Sequence, residues 1–310
     1  MATSVDIDLA ALDRYLTVHL PDYAGPLSAE RFAGGQSNPT YRLTTPRRQY
    51  VLRRKPAGPL LASAHAIDRE FRVQQALGAG HTGVPVAKML VLCMDESVIG
   101  TAFYVMEHVD GRIFWDTSFP EIEHARRWEY FEAMNAALAA LHRVDPVVVG
   151  LADFGKPSGY VARQLRRWGQ QYRDDTAAGR IADMDRLLEW LLEHLPLDDD
   201  EAAIVHGDYR CDNLIFHSTE PRVLAILDWE LATLGHPVAD FAYHLMMYRL
   251  PTLAFPGLLG LDLATRNIPT EAQYVATYCR HTGRESIPHL DFYVAYNLFR
   301  LAAILHGIRG

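Results

Sequence analysis

At 310 residues, 49% of them hydrophobic and 22% charged, the chain has the composition of an ordinary soluble globular protein, which excludes a fibrous or disordered one. Its length reaches the point where one hydrophobic core stops growing, so two lobes are expected. Thirty Lys and Arg against 38 Asp and Glu leave a formal charge of −8, which repels phosphate backbones and anionic leaflets and argues against nucleic acid or a membrane surface as partner.

The chain opens with Ile7, Leu9, Leu12, Leu16 and Leu20 at roughly helical spacing, stopped by Pro21, which predicts a leading helix over 6–20. Asp6, Asp8 and Asp13 stand where an export signal needs a basic end and an apolar run, so none is expected. Arg31 to Leu43 and Gln49 to Arg53 read as two strands around the turn 44–48, with Gly34-Gly35-Gln36-Ser37-Asn38 inside the first. Ala62 to Ala79 reads as a helix with Ser63 as N-cap and Gly78 and Gly80 as its stop. Val86 to Met94 and Thr101 to Val109 supply two more strands before Asp110-Gly111 breaks the run. A first lobe is therefore expected over 1–107 and a mainly helical second lobe over 108–310.

Helical spacing returns over 121–142 and over 160–195, the latter split near Ala178-Gly179, and again over 239–249, 271–282 and 289–306. Short strands are expected at Ala203 to His206 and Val223 to Leu227. The most apolar stretches are interrupted by Lys88 or Asp228 and fall short of the ~20 residues a bilayer needs, so no span is expected. The run Asp198-Asp199-Asp200-Glu201 reads as a solvated loop. Cys93, Cys211 and Cys279 lie far apart with no CxxC pair, which fits neither a disulfide framework nor zinc and suits a reducing cytoplasm.

Chemistry concentrates in His206-Gly207-Asp208-Tyr209-Arg210-Cys211-Asp212-Asn213, which matches H-x-D-x-x-x-x-N between two strand-like segments. In phosphoryl transfer an acceptor hydroxyl surrenders a proton while magnesium neutralises nucleotide charge, so a carboxylate and a carbonyl oxygen must converge from one short loop. Asp208 is the candidate base and Asn213 a candidate Mg2+ ligand. Twenty positions after Asp208, Asp228 ends the apolar run Leu224-Ala225-Ile226-Leu227; a lone carboxylate there is costly unless it meets a cation, and Mg2+ is the expected one. Each motif alone is also explained by a turn or cap; their order, separation and strand context join them.

The first lobe offers the complementary parts. Gly34, Gly35, Gln36, Ser37 and Asn38 form a loop whose backbone N–H groups can approach phosphates, although glycine pairs also mark ordinary hairpins. Arg53 occupies the position of the cation that contacts the α- and β-phosphates of ATP or GTP, with Glu70 on the following helix as its expected partner. Phe103-Tyr104-Val105-Met106-Glu107 leads to a glycine break suited to a hinge. Main-chain groups of Glu107 and Val109 would bond adenine with Met106 packing behind it, or Met106 is simply core.

With these segments assembled, the chain resembles the aminoglycoside phosphotransferase-like kinase family, a branch of the protein-kinase fold that includes choline and homoserine kinases. The resemblance covers roughly residues 28–250, and its marks are His206-Gly207-Asp208, Ile226-Leu227-Asp228-Trp229-Glu230, and Gly235-His236-Pro237 leading to Asp240. It implies an α+β, two-lobed fold with an N-terminal antiparallel sheet and one key helix, and a bracing role for Asp240. The glycine loop, Ser63 to Val73 and Phe103 to Glu107 are most similar to kinase domains found beside or fused to acyl-CoA dehydrogenases. That likeness implies a 4-hydroxyacyl-CoA as acceptor. Two departures from the subgroup are Arg53 in place of a lysine and an end at Gly310 within what resembles its last helix.

Aminoglycoside, choline or homoserine acceptors remain open at this level, as does a nucleotide-binding pseudokinase. Arg163, Arg166, Arg167 and Arg173 on one predicted helix suit CoA phosphates or a solvated face equally. Cys211 reads as a small packing residue within the catalytic loop.

Overall fold

The computed structural model describes residues 6–32, 38–56, 67–196, 201–252 and 256–309. Gly34 to Ser37 and the Ser63 cap lie outside them. The chain forms two compact units, residues 1–111 with 224–230, and residues 112–223 with 231–310.

In the first unit, helix α1 (Leu9–His19) begins at Asp8, whose carboxylate accepts the Ala11 N–H at 2.9 Å, and ends at Leu20 ahead of Pro21. Strands β1 (Ser28–Arg31), β2 (Thr40–Thr44) and β3 (Gln49–Arg54), helix α2 (Ile67–Ala79), and strands β4 (Met89–Cys93) and β5 (Phe103–Glu107) follow. The five strands make one antiparallel sheet in the order β1-β2-β3-β5-β4.

Side-chain alternation gives this sheet two apolar faces. Tyr41, Leu43, Tyr50, Leu52 and Val105 pack with Leu12 and Leu16 of α1. Val51, Tyr104 and Met106 pack with Ile67 and Phe71 of α2. The single strand expected from Arg31 to Leu43 is instead two, with Arg31 opposite Tyr41 across the β1–β2 ladder; a glycine pair inside a strand weakens it, and pairing stops on either side. Gly78, expected as a stop, is the penultimate residue of α2.

The second unit carries α3 (Arg127–His142), α4 (Tyr160–Asp174), α5 (Ala182–Glu193), β6 (Ala203–Val205) and β7 (Leu214–Phe216). Strand β8 (Val223–Ile226) crosses the unit boundary, and its Ile226 N–H donates to the Pro85 carbonyl at 2.9 Å. Then come β9 (Thr233–Gly235), α6 (Pro237–Leu245), α7 (Glu271–Thr282) and α8 (Leu290–Arg309). Helix α7 keeps its predicted bounds because Thr270 and Gln273 form a capping box and Gly283, at φ 73°, takes the left-handed C-cap. The helix expected from 121 is shorter, preceded by a 3-10 turn at His124–Arg126.

Helices α4, α5, α6 and α8 share a core that includes Tyr160, Leu165, Leu188, Val238 and Phe299. Among the described residues, no helix is long and apolar enough to cross a membrane.

Candidate active site

Strands β6 and β9 pair antiparallel, with Val205 opposite Thr233, and the loop from His206 to Asn213 leaves the end of β6. Gly207 sits at φ 85°, and a Cβ there would lie 3.0 Å from the Leu231 carbonyl oxygen, so both the backbone angle and the space demand glycine. Buried Asp240 on α6 holds the loop: Oδ2 accepts the His206 N–H and Oδ1 the Gly207 N–H, each at 2.8 Å. His142 of α3 donates from Nε2 to the same Oδ2 at 3.0 Å, and the Tyr278 hydroxyl of α7 donates to its Nδ1 at 2.6 Å. Burial alone would raise the Asp240 carboxyl, but the His142 bond and these donors hold it below the usual carboxylate range. Three helices thus fix one loop through one carboxylate.

Asp208 follows, 22% exposed at its side chain, with the Arg210 Nε 3.3 Å from Oδ1. The Tyr243 hydroxyl donates to Oδ1 at 2.5 Å. Asn213 Nδ2 lies 2.9 Å from the Asp208 carbonyl oxygen and 3.2 Å from Oδ2. Both partners are acceptors, which fixes the amide with Nδ2 toward Asp208. The two residues read as base and metal ligand are therefore locked to each other.

In the first unit, Arg53 Nε stands 2.9 Å from Glu70 Oε2, and Nη2 lies 2.7 Å from Asp228 Oδ1 and 3.7 Å from Glu230 Oε2. Burial alone would lower the Arg53 pKa, but Glu70 above all, with Asp228 and Glu230, raises it. Burial pushes the Glu70 carboxyl up to about 7 against the pull of Arg53. Since Asn38 Nδ2 at 2.8 Å and the Tyr104 hydroxyl at 3.0 Å both donate to its oxygens, the surroundings are built for the carboxylate.

Asp228 is not the lone charge that the sequence suggested: its side chain is 34% exposed and Arg53 already faces it. Its backbone is left-handed at φ 62°, an uncommon geometry for a non-glycine residue. Asn38 also departs from expectation. Its side chain is fully buried and donates to Glu70, which leaves only its backbone for the phosphate contact expected of the loop. Met106 lies in the α2-facing core. Glu107 is exposed and Val109 half-buried; the Glu107 N–H donates to the Lys88 carbonyl at 2.9 Å and is not on offer to a ligand. Gly34, Gly35, Gln36 and Ser37 fall outside the described residues.

A small cavity of about 60 Å3 is lined by Arg210, Cys211, Tyr243, Met246, Met247 and Leu301, of which Arg210 and Tyr243 also contact Asp208. The Cys211 thiol lies within reach of Thr117 Oγ1 and the Phe114 carbonyl, each at 3.3 Å, and burial pushes its pKa up to about 12. It is a packing residue. Among the described residues no group of three His, Cys, Asp or Glu is arranged to hold a metal.

The model of the phosphotransferase enzyme family matches residues 28–279. The chain belongs to that family, whose members are small-molecule kinases of the protein-kinase-like α+β fold. A solved structure from Ralstonia eutropha JMP134, assigned as an aminoglycoside phosphotransferase, is 50% identical with a TM-score of 0.89, over 97% of this chain and 88% of that one. Acyl-CoA dehydrogenase family member 11 of Gallus gallus is 46% identical over 309 residues, 97% of this chain and 39% of that protein. Acyl-CoA dehydrogenase family member 10 of Mus musculus is 46% identical over 302 residues, 96% of this chain and 28% of that protein. The chain thus spans well under half the length of these two relatives.

Tyr243, Arg300, His142 and Tyr278 went unnoticed in the sequence. One signal was available for Tyr243, which lies three residues after Asp240 and so on the same face of α6. The others come from helices remote in sequence and carry no local mark.

Proposed function

We propose that this family member transfers the γ-phosphoryl group of ATP or GTP to a hydroxyl of a small molecule, with Asp208 as general base. The observation that carries this reading is the mutual locking of Asp208 and Asn213 on a loop that Asp240 clamps, since a base and a metal ligand held in one rigid turn are what phosphoryl transfer asks of a protein. Asn213 Oδ1 and the Asp228 carboxylate are hard oxygen donors suited to Mg2+, which characteristically takes one or two carboxylates and fills its shell with phosphate oxygens and water. Mg2+ taken up by such donors would neutralise charge on the transferring phosphates. Arg53, held by Glu70, keeps a cation fixed beside Asp228, and the Glu107 carbonyl and Val109 N–H remain the groups for adenine.

For the acceptor, Met246, Met247 and Leu301 line a cavity of about 60 Å3 that shares Arg210 and Tyr243 with the surroundings of Asp208, which suits a small apolar end of an acceptor better than an ammonium group. Relatives named as acyl-CoA dehydrogenase family members point the same way. The proposed acceptor is a 4-hydroxyacyl-CoA, with exposed Arg166 and Arg167 of α4 available to CoA phosphates.

The test is a product screen by 31P NMR and mass spectrometry with Mg-ATP or Mg-GTP and a panel of 4-hydroxyacyl-CoAs, aminoglycosides, choline and homoserine. A phosphomonoester on the hydroxyacyl-CoA is expected. Transfer to an aminoglycoside alone overturns the acceptor assignment, and no transfer to any acceptor overturns the reaction.

A further inference from the structure

Asp208 as a base raises a problem of aim. The torsion that turns a carboxylate is broad and nearly two-fold, so an aspartate in a loop does not by itself present a chosen oxygen to a substrate. Among the described residues, Oδ1 accepts the Tyr243 hydroxyl at 2.5 Å and has Arg210 Nε at 3.3 Å, whereas Oδ2 accepts the longer 3.2 Å bond from Asn213 Nδ2. Each carboxylate oxygen thus accepts one hydrogen bond, and the one on Oδ1 is the shorter and has the Arg210 cation beside it.

Tyr243 is itself backed by an unusual residue. Arg300, on α8, is 6% exposed, and its guanidinium stands 5.0 Å over the Tyr243 ring and 5.8 Å over the Trp168 ring. Its Nη2 donates to the Gly207 carbonyl at 2.9 Å, and its buried Nε finds no hydrogen-bond partner among the described residues. Burial disfavours its charge, but Tyr296, Tyr160, Tyr243 and the Asp208 carboxylate outweigh that, so the guanidinium stays ionised. There it holds the peptide before Asp208 and faces the ring of the phenol that bonds Asp208. Burial raises the Tyr243 pKa, with the Asp208 charge acting in the same direction, so the phenol keeps its proton and donates.

We infer that Tyr243, backed by Arg300, is the positioning residue of the base: it occupies Oδ1 and turns Oδ2 toward the acceptor hydroxyl. This rests on Asp208 being the base. The phenol takes no proton from the substrate and undergoes no change; it restricts the carboxylate to one orientation.

The experiment compares wild type, Tyr243→Phe, Arg300→Met, Asp208→Asn and the Tyr243→Phe/Asp208→Asn double variant. It uses Mg-ATP with 4-hydroxypentanoyl-CoA, and the slow hydrolysis of ATP by water as a second readout that needs no acceptor. Tyr243→Phe keeps the ring and its packing. It is expected to lower kcat roughly 10- to 100-fold, the range for a lost hydrogen bond to a charged group. KM for both substrates should stay within two-fold. Arg300→Met is expected to lower kcat in the same sense. In the Asp208→Asn background the Tyr243→Phe change should cost nothing further. A kcat within two-fold of wild type for Tyr243→Phe overturns the inference, as does a further loss in the Asp208→Asn background. If Asp208→Asn itself retains wild-type turnover in both readouts, the base assignment fails and the positioning role fails with it.

Discussion

Arg53 reaches Asp228 with Nη2 2.7 Å from Oδ1 while its Nε stands 2.9 Å from Glu70, so one guanidinium joins the carboxylate two residues past β8 to the buried carboxylate of α2. Glu70 is 2% exposed at its side chain and depends on that charge. Removing one member of a buried pair leaves the other uncompensated, which typically costs about 3–5 kcal/mol. Arg53→Met is expected to lower unfolding stability by that order in urea denaturation. A loss below about 1 kcal/mol, the range of exposed pairs, would show that Glu70 is not held by Arg53.

His244 gives the fold an acid-sensitive group. Its ring is buried, with Nδ1 donating to the Tyr209 carbonyl at 3.2 Å and Nε2 accepting from the Tyr274 hydroxyl at 2.7 Å. Burial lowers its pKa from 6.5 to about 4. The unfolded chain therefore binds a proton below 6.5 that the folded one refuses until about 4. The contribution to stability is complete above pH 6.5 and is lost as pH falls toward 4, amounting to about 3 kcal/mol over the window. Urea midpoints at pH 7 and pH 5 should show a smaller acid loss for His244→Gln than for wild type; equal losses would refute the assignment.

Much of the fold was readable because its signals are local. The spacing of Leu12 and Leu16 gives α1, and the Thr270 box with Gly283 bounds α7. The loop from His206 to Asn213 was readable because its constraint is a short-range spacing, and the partner of Arg53 because α2 follows β3 directly. What could not be read depends on burial or on distant helices. Asn38 sits in a motif suggestive of phosphate binding, yet its side chain turns into the core toward Glu70. The Asp228 charge seemed isolated because Arg53 is 175 positions away. Arg300 meets the catalytic loop from 93 positions beyond Gly207, and nothing local distinguishes it from any other helical arginine.

The whole account turns on Asp208 taking the acceptor proton, and single-turnover phosphoryl transfer by Asp208→Ala with Mg-ATP tests it most directly. Loss of a general base predicts a rate lower by roughly 100- to 10,000-fold. Nucleotide affinity should change by less than a few-fold, because Asp208 is not among the groups assigned to hold the nucleotide. A rate within a few-fold of wild type would contradict the account.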